Sequence, residues 1–220
     1  MTAAIIQTDG KAIVLDLSTG ATLCGQPIAG LGADELGALI NRRMAEAGTT
    51  FAFGRWAEPR ELYSNDNFAM QGSSETRTIH MGIDVFCDPD TAVHTPMDGV
   101  IEFVANNAGE LDYGPMLIIR HGADNDMRTL YGHLSLDTLS AVRVGQAVAA
   151  GDKVASVGIP PSNGNWPPHL HFQLINDLVG LGTDFPGVAL KSEEHYWLGL
   201  SPSPAEFFPE IDAKSLEYRQ

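Results

Sequence analysis

The sequence predicts a mainly β fold, an antiparallel sandwich or barrel-like sheet preceded by a small α+β element. From about residue 79 onward, short β-type runs are separated by glycine and proline at the spacing of a many-stranded sheet. Hydrophobic residues make up 44% of the 220 residues, which is enough for one sizeable core. Before residue 79 the pattern is different, which indicates a separate N-terminal element.

That N-terminal element is predicted to contain a hairpin and a helix. Residues 3–18 predict a hairpin, because two apolar runs flank an Asp9-Gly10 turn. Residues 33–48 predict one amphipathic helix that ends at Gly48. Its apolar stripe consists of Leu36, Leu39, Ile40 and Met44.

The next residues, 49–78, are rich in turn formers and predict an extended lead-in to the sheet. The predicted divisions of the chain are an N-terminal element (1–65), a lead-in (66–76), a β-sheet domain (77–180) and an irregular C-terminal wrap (181–220). Because the N-terminal element has its own pattern, we expect a fragment that starts near residue 70 to fold and to keep any metal.

Composition excludes several classes of function. The net charge of −15, from 28 acidic and 13 basic residues, argues against nucleic acid or an anionic membrane as the main partner. Cys24 and Cys87 form no C-x-x-C motif, so a disulfide scaffold or a cysteine zinc site is not expected. No apolar run has the length of a transmembrane segment, and the N-terminus lacks the basic start of a signal peptide. The default expectation is a cytoplasmic protein, and the oligomeric state stays open.

Two short motifs carry residues that can bind a metal. In "HLH", His169 and His171 lie on the same face of a predicted strand, because side chains alternate along a strand. In "HMGID", His80 and Asp84 are expected to share one strand face, and Gly82 leaves room between them. An isolated H-x-H is more typical of a half-exposed strand. An imidazole and a carboxylate from one strand, with one imidazole from another, are nevertheless the ligands of a catalytic zinc site with an open position.

A third segment, "TLYGHLS", adds His133. With "HMGID" before it and "PHLHFQ" after it, the ordered set resembles the lysostaphin/LytM-type zinc metallopeptidases, many of which act on bacterial cell-wall peptides. The segments "TPMDGVIEFV" and "VGQAVAAGDKVASVG" are similar to supporting turns of that family. The resemblance covers roughly residues 77–175 and implies a lysostaphin-type sheet for the domain 77–180.

The resemblance also implies a role for each histidine. His80, Asp84 and His171 would bind Zn²⁺, while His133 and His169 would form a catalytic pair that does not bind the metal. Zinc lowers the pKa of a bound water toward ~7 and polarises a peptide carbonyl. One histidine of the pair would deprotonate that water, and the other would stabilise the oxyanion and protonate the leaving amine. We favour His169 for the water and His133 for the oxyanion.

Other features concern the substrate. Tyr113 and Trp166 are candidate substrate contacts, Tyr113 because it matches a family loop that borders the groove. The Trp-Pro-Pro loop before "HLH" and the segment after it depart from the common pattern. They are similar to a version of the domain that lacks an export signal and lies beside kinase-like and aminotransferase domains in long bacterial proteins. These departures leave the metal chemistry intact but leave the substrate open.

The expected function is that of a zinc-dependent metalloendopeptidase acting on a peptide or a peptidoglycan fragment. One alternative is a non-catalytic peptidoglycan-binding or activator module. Another is a cytoplasmic zinc hydrolase of small amides. The intact ligands and both accessory histidines favour an enzyme over a binding module.

Overall fold

The computed structural model describes residues 2–8, 10–63, 75–122 and 127–219. The β-strands are β1 (Ile13–Val14), β2 (Thr22–Leu23), β3 (Gln26–Pro27), β4 (Ala52–Gly54), β5 (Arg77–His80), β6 (Ile83–Phe86), β7 (Ala92–His94), β8 (Gly99–Asn107), β9 (Gly114–His121), β10 (Met127–Gly132), β11 (Ala147–Val148), β12 (Lys153–Ser156), β13 (His169–Ile175) and β14 (Val188–Leu190). The α-helices are α1 (Ala33–Ala47), α2 (Thr138–Ala141) and α3 (Glu194–Leu200). Short 3₁₀ turns cover Glu61–Tyr63, Gly182–Asp184, Lys191–Glu193, Ala205–Phe207 and Ala213–Ser215.

The central feature is an eight-stranded sheet in the order β1-β4-β6-β13-β10-β9-β8-β11. Its neighbouring strands are antiparallel except β1 and β4, which run parallel. Three two-stranded pairs, β5-β14, β7-β12 and β2-β3, complete the β structure of the described residues. The mainly β, antiparallel class predicted from the sequence is therefore confirmed, although the described strands do not close into a barrel.

Strand β13 positions the site because its two faces have different roles. Leu170 and Phe172 belong to the main hydrophobic core on one side. His169, His171 and Gln173 alternate with them and are buried on the other side. Burying a large apolar side chain contributes roughly 1.5–3 kcal/mol, so the core face anchors the polar face in place. The predicted alternation along "HLHF" is confirmed.

The predicted hairpin over residues 3–18 is wrong. Strand β1 pairs in parallel with β4, and residues 3–8 form no strand. Instead, Ile5 and Ile6 are buried in the main core, and the carbonyl of Ile5 accepts a hydrogen bond from the backbone of His94. Burial of these two isoleucines replaces the local pairing that the turn suggested. Asp9, half of the expected turn, lies outside the described residues.

Helix α1 confirms the predicted amphipathic helix. It ends at Gly48, whose φ of 67° lies in the left-handed region that favours glycine at a helix end. The four residues of the predicted stripe are all buried: Leu36, Leu39, Ile40 and Met44. They pack with Leu15 and Leu17 in a second hydrophobic cluster.

The N-terminal part of the chain shares the central sheet with the part that follows it. Strand β4 pairs with β6, so Ala52 lies opposite Phe86 and Gly54 lies opposite Asp84. The lead-in predicted at 66–76 falls mostly outside the described residues. The division at residue 65 stays a prediction, but the strands on its two sides belong to one sheet.

The C-terminal residues return to the same core. Phe208 and Leu216 are buried in it, and β14 pairs with β5. Among the helices that the structure describes, none is long and apolar enough to cross a membrane.

Candidate active site

Three predicted ligands converge on one point. His80 ends β5, Asp84 lies in β6 and His171 lies in β13, and each is at most 3% exposed. Oδ1 of Asp84 is 3.1 Å from Nε2 of His80 and 3.1 Å from Nδ1 of His171, and the two nitrogens are 3.0 Å apart. In a tetrahedral zinc site with arms of roughly 2.0–2.1 Å, two ligand atoms lie about 3.3 Å apart. The triangle therefore has the size of one face of such a site.

The hydrogen bonds on the outer side of each ring decide which nitrogen faces this point. Nδ1–H of His80 donates to the carbonyl of Arg55 at 2.8 Å, so Nε2 keeps its lone pair. Nε2–H of His171 donates to Oε1 of Gln173 at 2.9 Å, so Nδ1 keeps its lone pair. Gln173 is held in turn by the bond from its Nε2 to the carbonyl of Pro186. With the carboxylate of Asp84, three acceptor atoms face one another, and a cation stabilises such an arrangement. The donor set fits zinc.

The way in which His80 and Asp84 meet differs from the prediction. They were expected on one strand, but the β structure is interrupted at residues 81–82. His80 therefore lies in β5 and Asp84 in β6. Gly82 lies in this break, where an added Cβ would be 2.7 Å from Cε1 of His171 and 2.8 Å from the carbonyl oxygen of Phe172. The glycine therefore makes room for the third ligand, and the bend brings the first two together.

His133 and His169 flank the three ligands. Nδ1–H of His169 donates to the carbonyl of Pro167 at 2.7 Å, and Nδ1–H of His133 donates to that of Asn163 at 2.8 Å. In both rings Nε2 is thus left as an acceptor. The two ring centroids are 4.4 Å apart, and Nε2 of His169 is 3.7 Å from Oδ1 of Asp84. The pair lies beside the ligands, as predicted.

His133 adopts a left-handed backbone conformation, with φ of 62°, directly after β10. Such a conformation is uncommon for a residue with a side chain and often marks a functional site. It turns the ring out of the strand and into the cleft. The backbone amide of His133 donates to the carbonyl of Tyr113, which holds the turn.

Burial sets the protonation of the site. It lowers the pKa of His80 from 6.5 to about 4, and the charge of Arg60 adds to this effect. It lowers the pKa of His169, against the opposing charge of Asp84, and holds that of His133 well below its usual range. Burial alone would raise the pKa of Asp84, but His80 and Arg60 outweigh it and hold that pKa well below its usual range. His80, His133 and His169 are therefore neutral and Asp84 is charged near pH 7, the states in which these groups bind a metal or accept a proton.

Sequence reasoning missed several residues behind the ligands. Arg60 donates from Nη1 to Oδ2 of Asp84 at 2.6 Å and from Nε to Oε2 of Glu58 at 2.9 Å. Both charged residues are buried, and their segment lies outside the motifs. Gln173 could have been found, because it is two residues beyond His171 on the same strand face. The carbonyl of Arg55 has no signal in the sequence.

The ligands and accessory histidines line a cleft of about 430 Å³. Tyr113 and Trp166 lie in its wall, with the Tyr113 ring centroid 5.5 Å from that of His171 and the Trp166 centroid 6.1 Å from that of His133. The hydroxyl of Tyr113 donates to the carbonyl of Phe185 at 3.1 Å, which fixes the ring. The structure thus brings all seven predicted site residues to one cleft, and the role of these two aromatic residues stays a prediction.

Three acceptor groups with two histidines beside them are an arrangement typical of mononuclear zinc hydrolases. Residues 78–181 match the sequence profile of peptidase family M23. This match supports the resemblance to lysostaphin/LytM-type peptidase domains that the ordered motifs indicated.

Similar proteins match over part of their length. An uncharacterized metalloprotease of Haemophilus influenzae is 36% identical over 94 residues, which are 43% of this chain and 18% of that protein. A zinc containing peptidase from Vibrio cholerae is 30% identical, with a TM-score of 0.36 over 44% of this chain and 27% of that one. The catalytic domain of lysostaphin from Staphylococcus simulans is 26% identical, with a TM-score of 0.38 over 46% of this chain and 70% of that one. The chain thus spans about a fifth of the curated relative.

Proposed function

We propose that this chain is a zinc-dependent metalloendopeptidase that hydrolyses amide bonds in peptides of the bacterial cell-wall type. The observation that carries the proposal is the pair of Nε2 acceptors, on His133 and His169, beside the three metal ligands. A site that only binds peptide has no need of neutral bases next to its metal. The family match and the ordered motifs support the same activity.

His80, Asp84 and His171 would hold the zinc ion. When bound, zinc supplies a Lewis acid that polarises the scissile carbonyl and makes a water nucleophilic near neutral pH. His169, whose Nε2 lies 3.7 Å from Oδ1 of Asp84, would accept the water proton. The carbonyl of Pro167 fixes the ring of His169 in the required tautomer and orientation.

His133 would act on the developing oxyanion and the leaving amine. Because its Nδ1–H is committed to the carbonyl of Asn163, Nε2 donates only after it has gained a proton. Its ring, 4.4 Å from that of His169 between centroids, is near enough to share the same reacting group. Once His133 has received the proton that His169 took from the water, its ring would donate to the oxyanion and pass that proton to the leaving amine.

The test is a digest of purified peptidoglycan, soluble muropeptides, plain oligopeptides and small amides by the zinc-loaded protein, with cleavage sites read by mass spectrometry. We expect cuts within the peptide part of muropeptides. Cleavage of small amides alone would support the alternative zinc hydrolase, and binding without any cleavage would support the binding module. A cytoplasmic location remains part of the proposal.

A further inference from the structure

Charged side chains from the N-terminal part of the molecule form a hydrogen-bonded network that extends to Asp84 of the proposed metal site. Arg60 is 2% exposed, and its guanidinium donates to Oδ2 of Asp84 at 2.6 Å. The other oxygen of Asp84, Oδ1, is the one that faces His80 and His171. The two oxygens of one carboxylate therefore have separate partners.

The guanidinium of Arg60 is also held by Glu58. Glu58 is fully buried and accepts from Nε of Arg60 at 2.9 Å, from Nε of Arg55 at 2.8 Å and from the backbone amide of Leu17 at 3.1 Å. The backbone amide of Arg60 donates to the carbonyl of Thr78 at 2.9 Å. With its own backbone and its carboxylate partner fixed, Arg60 has little freedom to leave Asp84.

The neighbouring strand is shaped to admit this pair. Gly54 of β4 lies opposite Asp84 of β6. A Cβ at residue 54 would be 2.5 Å from Nη2 of Arg60 and 3.3 Å from Oδ2 of Asp84. A glycine at residue 54 is therefore needed for the guanidinium to reach the carboxylate.

We propose that Arg60 is a positioning residue of the metal centre, which occupies Oδ2 of Asp84 and leaves Oδ1 as the single oxygen offered to the metal. Arg55 has a parallel role toward His80 through its carbonyl. Both residues lie before residue 78, where the family match begins, so this chain completes its metal centre with residues from outside the matched domain. The inference rests on the metal site of the proposed function and not on any substrate.

Outer partners that orient metal ligands typically change metal affinity by 10–100-fold when they are lost. Removing Arg60 alone would also take one charged partner from each of two buried carboxylates, Glu58 and Asp84, which can unfold a protein. The informative variants therefore do not leave a charged Glu58 without the guanidinium of Arg60. The double variant Arg60→Met/Glu58→Gln removes the charges of both residues at similar side-chain volume. Arg60→Lys keeps the positive charge but loses the paired N–H donors of the guanidinium. Gly54→Ala keeps all the charges but crowds the guanidinium.

The experiment measures the zinc dissociation constant of the full chain by chelator competition, with folding checked by circular dichroism. We expect weaker binding by about 10–100-fold in the double variant and in Gly54→Ala, and a smaller loss in Arg60→Lys. Arg128→Gln is the matched control, because it breaks a half-buried pair with Glu102 on the sheet and touches no ligand. That control should bind zinc as the wild type does.

The Co²⁺-substituted protein gives a second readout that a purely structural role would not change. If Arg60 restricts Asp84 to binding the metal through one oxygen, loss of Arg60 should let the second oxygen bind as well. The cobalt spectrum should then shift from that of a four-coordinate ion toward that of a five-coordinate ion. Equal or tighter zinc binding in the folded double variant, with an unchanged cobalt spectrum, would overturn the inference. If the double variant does not fold, the zinc affinity of Gly54→Ala is the test, and an affinity equal to that of the wild type would overturn the inference. Failure of the wild type to bind zinc would instead reject the proposed function.

Discussion

Gly82 shows how a single missing side chain shapes the site. It was expected to leave room between His80 and Asp84, but its nearest neighbours are the ring of His171 and the carbonyl of Phe172. The contact is non-local, since β13 lies far along the chain from this bend. A sequence pattern can indicate that a glycine is required here, whereas only the fold shows which group requires it.

Gly82→Ala should therefore weaken metal binding. The added Cβ would be within 2.8 Å of Nε2 of His171, so the ring must move away from the other two ligands. We expect a loss of at least about tenfold in zinc affinity, measured by chelator competition. Gly199→Ala is the control, because a Cβ there meets nothing within 4 Å. Equal affinities in the two variants would show that Gly82 does not serve His171.

The accessory histidines should affect turnover rather than metal content. His169→Ala should reduce the rate of peptide hydrolysis by about 10²–10⁴-fold, and His133→Ala on a similar scale. Because both rings are proposed to act on one tetrahedral intermediate, the double variant should lose less than the product of the two losses. His121→Ala serves as the control, since the ring nitrogens of His121 bond to the carbonyl of Asp98 and the hydroxyl of Thr129, and His121 does not line the cleft. Rates that multiply independently would contradict a shared intermediate.

At the scale of elements, the sequence correctly predicts helices and strands whose pattern lies within a few consecutive residues. Helix α1 follows from its own 3.6-residue pattern and from Gly48, and β13 follows from the alternation in "HLHF". The hairpin fails because β1 finds its partner in β4, far along the chain, while Ile5 is buried in the main core. The Arg60–Asp84 pair was missed for the same reason, because nothing local to either residue indicates the contact.

Strand β4 changes what we expect of a fragment that begins near residue 70. Such a fragment would lack β1 and β4, which cover the edge of β6, and would also lack Arg60 beside Asp84. An uncovered strand edge promotes association between chains. We now expect the fragment to aggregate or to bind zinc more weakly than the full chain, as measured by size-exclusion chromatography and chelator competition. A monomeric fragment with full affinity would restore the original expectation of a separable domain.

At the scale of the whole molecule, the cleft is a joint product of three parts of the chain. Arg60 and Leu62 come from the N-terminal part, Trp166 from the sheet domain, and Phe185 and Val188 from the C-terminal wrap. The proposed metal site and its two accessory histidines therefore lie in a buried setting that no part supplies alone. This burial is also the main cause of the lowered histidine pKa values.

The metal-free protein should lose stability as the pH falls from about 6.5 toward 4. Burial lowers the pKa of His80 from 6.5 to about 4 and also lowers those of His121, His133 and His169. In this window the unfolded chain binds more protons than the folded chain, so acid favours unfolding. The lowered pKa of Asp84 acts in the same direction at lower pH. Urea unfolding in the presence of chelator, at pH 7 and pH 5, measures the effect, and equal free energies of unfolding would contradict it.

The central claim, that His80, Asp84 and His171 hold one zinc ion beside two catalytic histidines, is tested most directly within "HLH" itself. His169 and His171 lie two residues apart on one strand face and are buried alike, so their alanine variants differ little in general perturbation. The wild type, His169→Ala and His171→Ala are dialysed, and the number of zinc ions per chain is measured by inductively coupled plasma mass spectrometry. We predict one zinc in the wild type and in His169→Ala, and a large loss in His171→Ala. Zinc retained by His171→Ala and lost from His169→Ala would contradict the assignment of ligand and base.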